Sequence, residues 1–353
     1  MLLHGTFSET HGTFGKLWQQ HPQRVRELFA HYGGRVYGFD HPTLGASPID
    51  NALQLARALP AGARVHLLTH SRGGLVAEVL ARVSARPDLD PAQLGAFKDP
   101  AYKNQFKALQ DLAATLKGRD IRVERMVRVA CPARGTLLAS KRLDAYVSVL
   151  KWSLELAAIP VAPALLDFLG AVASQRTDPK LLPGLEAMTP DSPLVQWLHR
   201  IEEPLPGQLR VVAGDLEGDS VTSWVKTLLA DAFYWTDNDL VVQTRSMYGG
   251  APRAATGGQA AASFVLDQGG KVTHFAYFSN PRTVEAVCTG LMQDQPAGYR
   301  PIGPLSWAGE SSTGVRGGPG ARAATRDARP AAERPAVILI PGILGSHLAV
   351  AVS

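Results

Sequence analysis

The stretch "RVHLLTHSRGGLVAEVLAR" (64–82) changes its apolar period at a single serine. Val65, Leu67 and Leu68 form an apolar burst short enough for a buried strand, whereas Leu75, Val76, Val79 and Leu80 recur at helical spacing. Ser71 therefore stands where a strand turns sharply into a helix, with Gly73 and Gly74 close behind. A hydroxyl at such a turn is held out from the backbone, where a base can reach it. The helix N-terminus beside it presents unpaired N–H groups and the positive end of a dipole, which favour a developing oxyanion. Gly73 leaves out a side chain that would block the turn, and Gly74 lets the helix pack close to the sheet.

Outward from this turn, strand-like and helix-like segments alternate. Strands are expected at 2–3, 35–39, 65–69, 123–130, 208–214 and 262–267, and helices at 15–31, 49–59, 74–84 and 104–117. Alternation of this kind predicts βαβ units and a mostly parallel sheet with helices on both faces. The 353 residues suffice for one large α/β domain or two ordinary ones, and 45% hydrophobic with 19% charged residues describes a soluble chain with a substantial core. The net charge of +5 comes from scattered arginines, not a basic block with interleaved aromatics, so no nucleic-acid partner is expected. Cys131 and Cys288 make neither a disulfide framework nor a metal-ligand spacing, which predicts buried thiols in a reducing, cytoplasmic setting. No secretory leader is expected, and the apolar region 156–173 is broken by Pro160, Pro163 and Asp167, so no transmembrane segment is expected either.

Three regions follow from composition. Residues 1–296 form the α/β body, interrupted at 141–200 by apolar helical material expected either as extra packed helices or as a cap over a pocket. Residues 297–334 are rich in Gly, Ala, Arg and Pro without apolar period, as in a flexible linker. Residues 335–353, containing "AVILIPGILGSHLAV", read as the start of a second α/β unit or as an extra strand, and both chain ends read as those of a fragment.

"THSRGG" (69–74) comes close to the G-x-S-x-G nucleophile elbow, with Thr69 in the place of the first glycine. On these residues the chain resembles the α/β-hydrolase superfamily, and more narrowly its bacterial lipases and esterases. The resemblance implies an α/β-hydrolase fold with a helical cap insertion, and Ser71 as nucleophile. "LLHGTFS" (2–8) is similar to the strand and His-Gly loop that supplies the oxyanion hole in such proteins. It implies the backbone N–H groups of Thr6 and Arg72 as donors, Phe7 as the alternative donor, and Phe7 and His70 beside the substrate. The tetrapeptide recurs as "HGTF" at 11–14, but only the first copy follows a strand. Hydrolases of this fold carry their histidine after the final strand. His274 in "QGGKVTHFAYFSNPRTVEAV" (268–287) occupies that place as base. "WTDNDLVVQTRSM" (235–247) resembles the acid-bearing loop of bacterial lipases, which implies Asp239 as orienter of the imidazole; Asp237 and Asp215 are the alternatives. "VRVACPARGTLLA" (127–139) resembles the strand and loop that pack beneath the site.

The function implied is a serine hydrolase that cleaves carboxylic esters of lipids or other acyl compounds through a Ser-His-Asp triad and an acyl-enzyme. No ligand cluster for calcium is recognisable, and neither a metal nor a cofactor is expected. A peptidase or thioesterase could use the same triad. An inactive hydrolase fold serving as a binding module is the remaining alternative, in a longer protein whose second hydrolase-like domain would begin at 335–353.

Overall fold

The computed structural model describes residues 1–6, 8–136, 182–200, 203–215, 244–254, 261–268, 274 and 276–302. All lie in the first of two compact units, Met1–Val315, the second being Arg316–Ser353. Seven strands form one sheet: β1 (Leu2–Leu3), β2 (Gly38–Phe39), β3 (Arg64–His70), β4 (Arg122–Val129), β5 (Gln208–Asp215), β6 (Ala262–Gln268) and β7 (Arg300–Pro301). Their order is β2-β1-β3-β4-β5-β6-β7, parallel throughout except for the antiparallel β6–β7 pair. β3, β4 and β5 are largely buried, and with their apolar residues they bury Arg125, Arg128 and Arg210.

Helix α4 (Gly73–Ala85) follows the candidate serine, and eleven of its thirteen residues are buried. It packs on β1, β3 and β4 and is covered in turn by α3 (Pro48–Ala58) and α5 (Lys103–Leu116). Full burial of side chains such as Leu75, Val76, Val79 and Leu80 contributes about 1.5–3 kcal/mol each, so the turn before α4 is anchored to the core. Ser47 starts α3 with a capping box shared with Asp50, and Pro48 sets the first helical residue. The opposite face of the sheet carries α1 (Thr10–Gln20), α2 (Pro22–His31) and α7 (Pro281–Met292).

Several expected boundaries are corrected. The single helix expected at 15–31 is two, because Pro22 disfavours helical backbone at His21, which sits at φ −127° and ψ 48°. The strand expected at 35–39 pairs only at Gly38–Phe39, opposite the two ladder residues of β1. Within the linker expected at 297–334, Arg300–Pro301 pairs with β6, Ile302 is buried and the Tyr299 hydroxyl donates to the Ala286 carbonyl, while 303–334 lie outside the described residues. Of the insertion expected at 141–200, residues 141–181 lie outside the described residues. Its described end, with α6 (Pro193–His199), is part of the core through Leu185, Met188, Leu194, Trp197 and Leu198. Among the described residues, no helix is long and apolar enough to cross a membrane.

Candidate active site

β3 ends at His70 and α4 begins at Gly73, so Ser71 is the first residue of the turn. Its φ is +51°, the left-handed region, which costs a non-glycine residue about 1–2 kcal/mol. The conformation is over-determined: the Ser71 N–H donates to the Val129 carbonyl at 2.9 Å, and the Gly74 N–H donates to the Ser71 carbonyl at 3.0 Å. Two close approaches fix the space around it. A Cβ on Gly5 would come within 2.8 Å of the Ser71 Cβ, and one on Gly73 would run into the carbonyls of Leu3 and His4. Glycine is therefore needed at 5 and 73. Thr69 still lies in regular strand, paired with Leu3 and Arg128, which is why a β-branched residue is tolerated where the elbow pattern has glycine.

His274 is brought to this serine from 203 residues along the chain. Its Nε2 lies 2.9 Å from Ser71 Oγ, and both residues are buried. The loop carrying it is tied down at its base by Asp267, near the end of β6, whose Oδ2 accepts hydrogen bonds from Asn280 and Thr283 at the start of α7. His70 holds it from the other side. The His70 Nε2–H donates to the His274 carbonyl at 2.7 Å, and its ring packs edge-on against Tyr277 and Phe278. His70, expected beside the substrate, thus braces the segment that carries His274. Burial, followed by the adjacent His274, pushes the His70 pKa well below the usual imidazole range and keeps it neutral.

Of the expected oxyanion donors, Arg72 directly follows the serine and Thr6 follows the glycine that approaches it. Thr6 follows Gly5 in the loop that leans on Ser71, and Arg72 is the N-cap of α4. Phe7, Asp237 and Asp239 lie outside the described residues, so their expected roles rest on sequence. Asp215 closes β5 at the same C-terminal sheet edge, its backbone paired with Gln268.

The Arg72 side chain is a feature the sequence reading missed. It is fully buried, with Nη1 donating to Asn51 Oδ1 at 2.9 Å, Nη2 to the Ala46 carbonyl at 2.5 Å and Nε to the Gly184 carbonyl at 3.2 Å. It pins the loop before α3 and the 182–186 turn onto the residue that follows Ser71.

Residues 1–95 and 106–292 match the family described as Domain of unknown function (DUF7379). The chain belongs to that family. No curated protein matches it. Among solved structures, lipase 1 from Pelosinus fermentans has a TM-score of 0.51 at 15% identity, covering 83% of this chain and 98% of that one. Staphylococcus hyicus lipase gives 0.45 at 14% identity, with 82% and 91% covered. Mature Bacillus licheniformis lipase BlEst2 gives 0.33 at 17%, with 79% and 85% covered. This DUF7379 chain has the α/β-hydrolase fold, and at such identities the likeness speaks for the fold alone.

Beneath the site of this family member lies a second unforeseen feature, a buried ionic cluster. Glu78 on α4 accepts from Arg128 Nη1 on β4 at 2.6 Å and from Arg253 Nη2 at 3.1 and 3.0 Å. Arg128 also donates to the carbonyls of Met247 and Gly249. The cluster joins α4, β4 and the segment that follows the expected acid loop. Its signal in the sequence is a lone charge inside each apolar run, "LVAEVLA" (75–81) and "MVRVA" (126–130).

Proposed function

We propose that the chain is a serine hydrolase that cleaves carboxylic esters, with acyl or lipid esters as substrates. The observation that carries the reading is the 2.9 Å approach of His274 Nε2 to the hydroxyl of a serine held at φ +51°. A neutral imidazole at that distance can accept the hydroxyl proton as Ser71 Oγ attacks the ester carbonyl carbon. The tetrahedral oxyanion would meet the backbone N–H groups of Thr6 and Arg72, each donor of this kind contributing about 2.7–4 kcal/mol. His274 then returns the proton to the departing alcohol, leaving an acyl ester on Ser71, and a water deprotonated by His274 releases the acid. Asp239 is assigned to the other imidazole nitrogen, with Asp237 and Asp215 as alternatives.

The test is labelling of the purified chain by a fluorophosphonate, followed by turnover of p-nitrophenyl esters of increasing chain length. The wild type should be labelled. Ser71→Ala and His274→Ala should lose labelling and lower turnover by about a million-fold. A wild type that takes no label and turns over none of the esters would refute the reading, as would undiminished turnover in Ser71→Ala.

A further inference from the structure

We infer that His4 is a positioning residue whose imidazole holds the Gly5–Thr6 peptide in the orientation that aims the Thr6 N–H at the oxyanion. The inference deepens the ester-hydrolase reading and rests on it. It begins with proton bookkeeping on the ring. The backbone N–H of His41 donates to His4 Nε2 at 3.1 Å. A backbone amide can only donate, so Nε2 carries the lone pair and the ring proton sits on Nδ1. His4 Nδ1 lies 3.0 Å from the Gly5 carbonyl oxygen, which accepts that proton.

Peptide geometry carries the next step. The Gly5 C=O and the Thr6 N–H belong to one planar trans unit and point in opposite directions. Drawing the carbonyl oxygen toward His4 therefore turns the Thr6 N–H the other way. Among the described residues that N–H has no acceptor, as a donor reserved for substrate requires. The lock is needed because residue 5 must be glycine: a Cβ there would come within 2.8 Å of the Ser71 Cβ. Glycine is also the residue whose adjoining peptides flip most readily. A flipped peptide would present a carbonyl oxygen to the oxyanion in place of a donor.

The ring is itself held. His41 stacks on it with centroids 4.0 Å apart and planes at 25°, and Phe39 stacks on His41 at 5.2 Å and 15°. The His41 Nδ1–H donates to the Phe39 carbonyl at 3.0 Å, leaving its buried Nε2 without a partner. Burial lowers the His4 pKa and lowers that of His41 to about 3, so both rings are neutral at neutral pH and the tautomer is fixed by the two main-chain contacts.

His4→Phe keeps a stacking ring but removes both hydrogen bonds, while His4→Asn keeps a donor close to the Nδ1 position. With the p-nitrophenyl ester best cleaved by the wild type, His4→Phe should lower kcat by about 100-fold, the scale of one lost oxyanion donor, with KM changed less than about threefold. His4→Asn should recover at least about tenfold of that loss. A kcat in His4→Phe within about threefold of wild type, a loss carried by KM, or no recovery in His4→Asn would overturn the inference. A second measurement needs no variant. The 15N ring shifts of His4 in the wild-type chain, assigned through its backbone, should report the neutral Nδ1–H tautomer at pH 7. An Nε2–H or doubly protonated ring would overturn the lock. A wild type inert to esters and to fluorophosphonate sinks the hydrolase reading instead, and the ring shifts then still decide whether the peptide is held.

Discussion

Glu78→Gln removes a charge while leaving shape almost unchanged, at a place where the structure allows the cost to be worked out. The side chains of Glu78 and Arg128 are fully buried and that of Arg253 nearly so. Two guanidinium groups share one carboxylate, and their remaining contacts include the neutral carbonyls of Met247, Gly249 and Ala251. A neutral amide in place of that carboxylate would leave both cations in the core without a counter-charge. Removing one partner of a buried ion pair costs about 3–5 kcal/mol, because the survivor's desolvation is no longer offset. Against the ~5–15 kcal/mol stability of a typical domain this is a large share. With a urea m-value of about 3 kcal/mol/M, the midpoint should fall by about 1–1.7 M, read by far-UV circular dichroism and tryptophan fluorescence at pH 7. Adding Arg253→Met removes one stranded cation and should recover part of the loss, so the two substitutions should be non-additive. A midpoint within about 0.3 M of wild type, or a double variant that simply sums the two losses, would refute the account.

Ser71→Gly relieves the positive φ, whereas Ser71→Ala keeps it. In thermal melts the glycine variant should match or exceed the alanine variant by about 0.5–1 kcal/mol, the reverse of their order at an ordinary site; an alanine variant clearly more stable would remove the strain argument. If Asp239 orients His274, Asp239→Asn should lower kcat by about 10⁴-fold, and Asp215→Asn should do much less; the opposite ranking in ester assays would move the acid to the end of β5. His41 has a folded pKa near 3, below that of an unfolded imidazole, so the unfolded state binds the extra proton. Its contribution is complete above pH ~6.5 and is lost as pH falls below that value, at up to about 1.4 kcal/mol per pH unit. His41→Asn should flatten this limb in urea midpoints between pH 6.5 and 4, and an unchanged slope would count against a neutral buried ring.

Legibility followed the range of the interactions concerned. The strand-to-helix switch around Ser71 is local, so periodicity placed β3 and α4 to within a residue or two. The place of His274 followed from the resemblance, which puts the histidine of such folds after the final strand, and the mostly parallel sheet gathers the C-terminal ends of its strands at one edge. What escaped depended on partners far away in sequence. Nothing near Arg72 announces that its guanidinium reaches Ala46 and Gly184, and nothing near His70 announces that its ring ends on the His274 carbonyl. The second "HGTF" shows the same limit: its residues lie in α1, where Phe14 packs on Phe278. Identical tetrapeptides serve as loop and as helix because only the first emerges from a strand.

The histidines around Ser71 fit together once charge is considered. In the proposed reaction His274 must become an imidazolium, and the His70 ring centroid lies only 4.9 Å from its own. Two unit charges at that separation repel by about 3 kcal/mol at an effective dielectric of ~20, enough to slow the step more than 100-fold. Burial keeps His70 neutral, and its proton is committed to the His274 carbonyl, so the brace adds a dipole and no charge. His4 and His41 follow the same rule, each fixed in one neutral tautomer by main-chain groups. Three imidazoles thus act as hydrogen-bonding parts that hold the loop backbones, and in the proposed reaction proton transfer falls to the fourth. The arrangement also explains how a buried arginine can follow the nucleophile. The Arg72 guanidinium is drawn away to Asn51 and two carbonyls, while its backbone N–H stays beside Ser71, so the residue can aid an oxyanion through its amide without setting a full charge against the developing imidazolium.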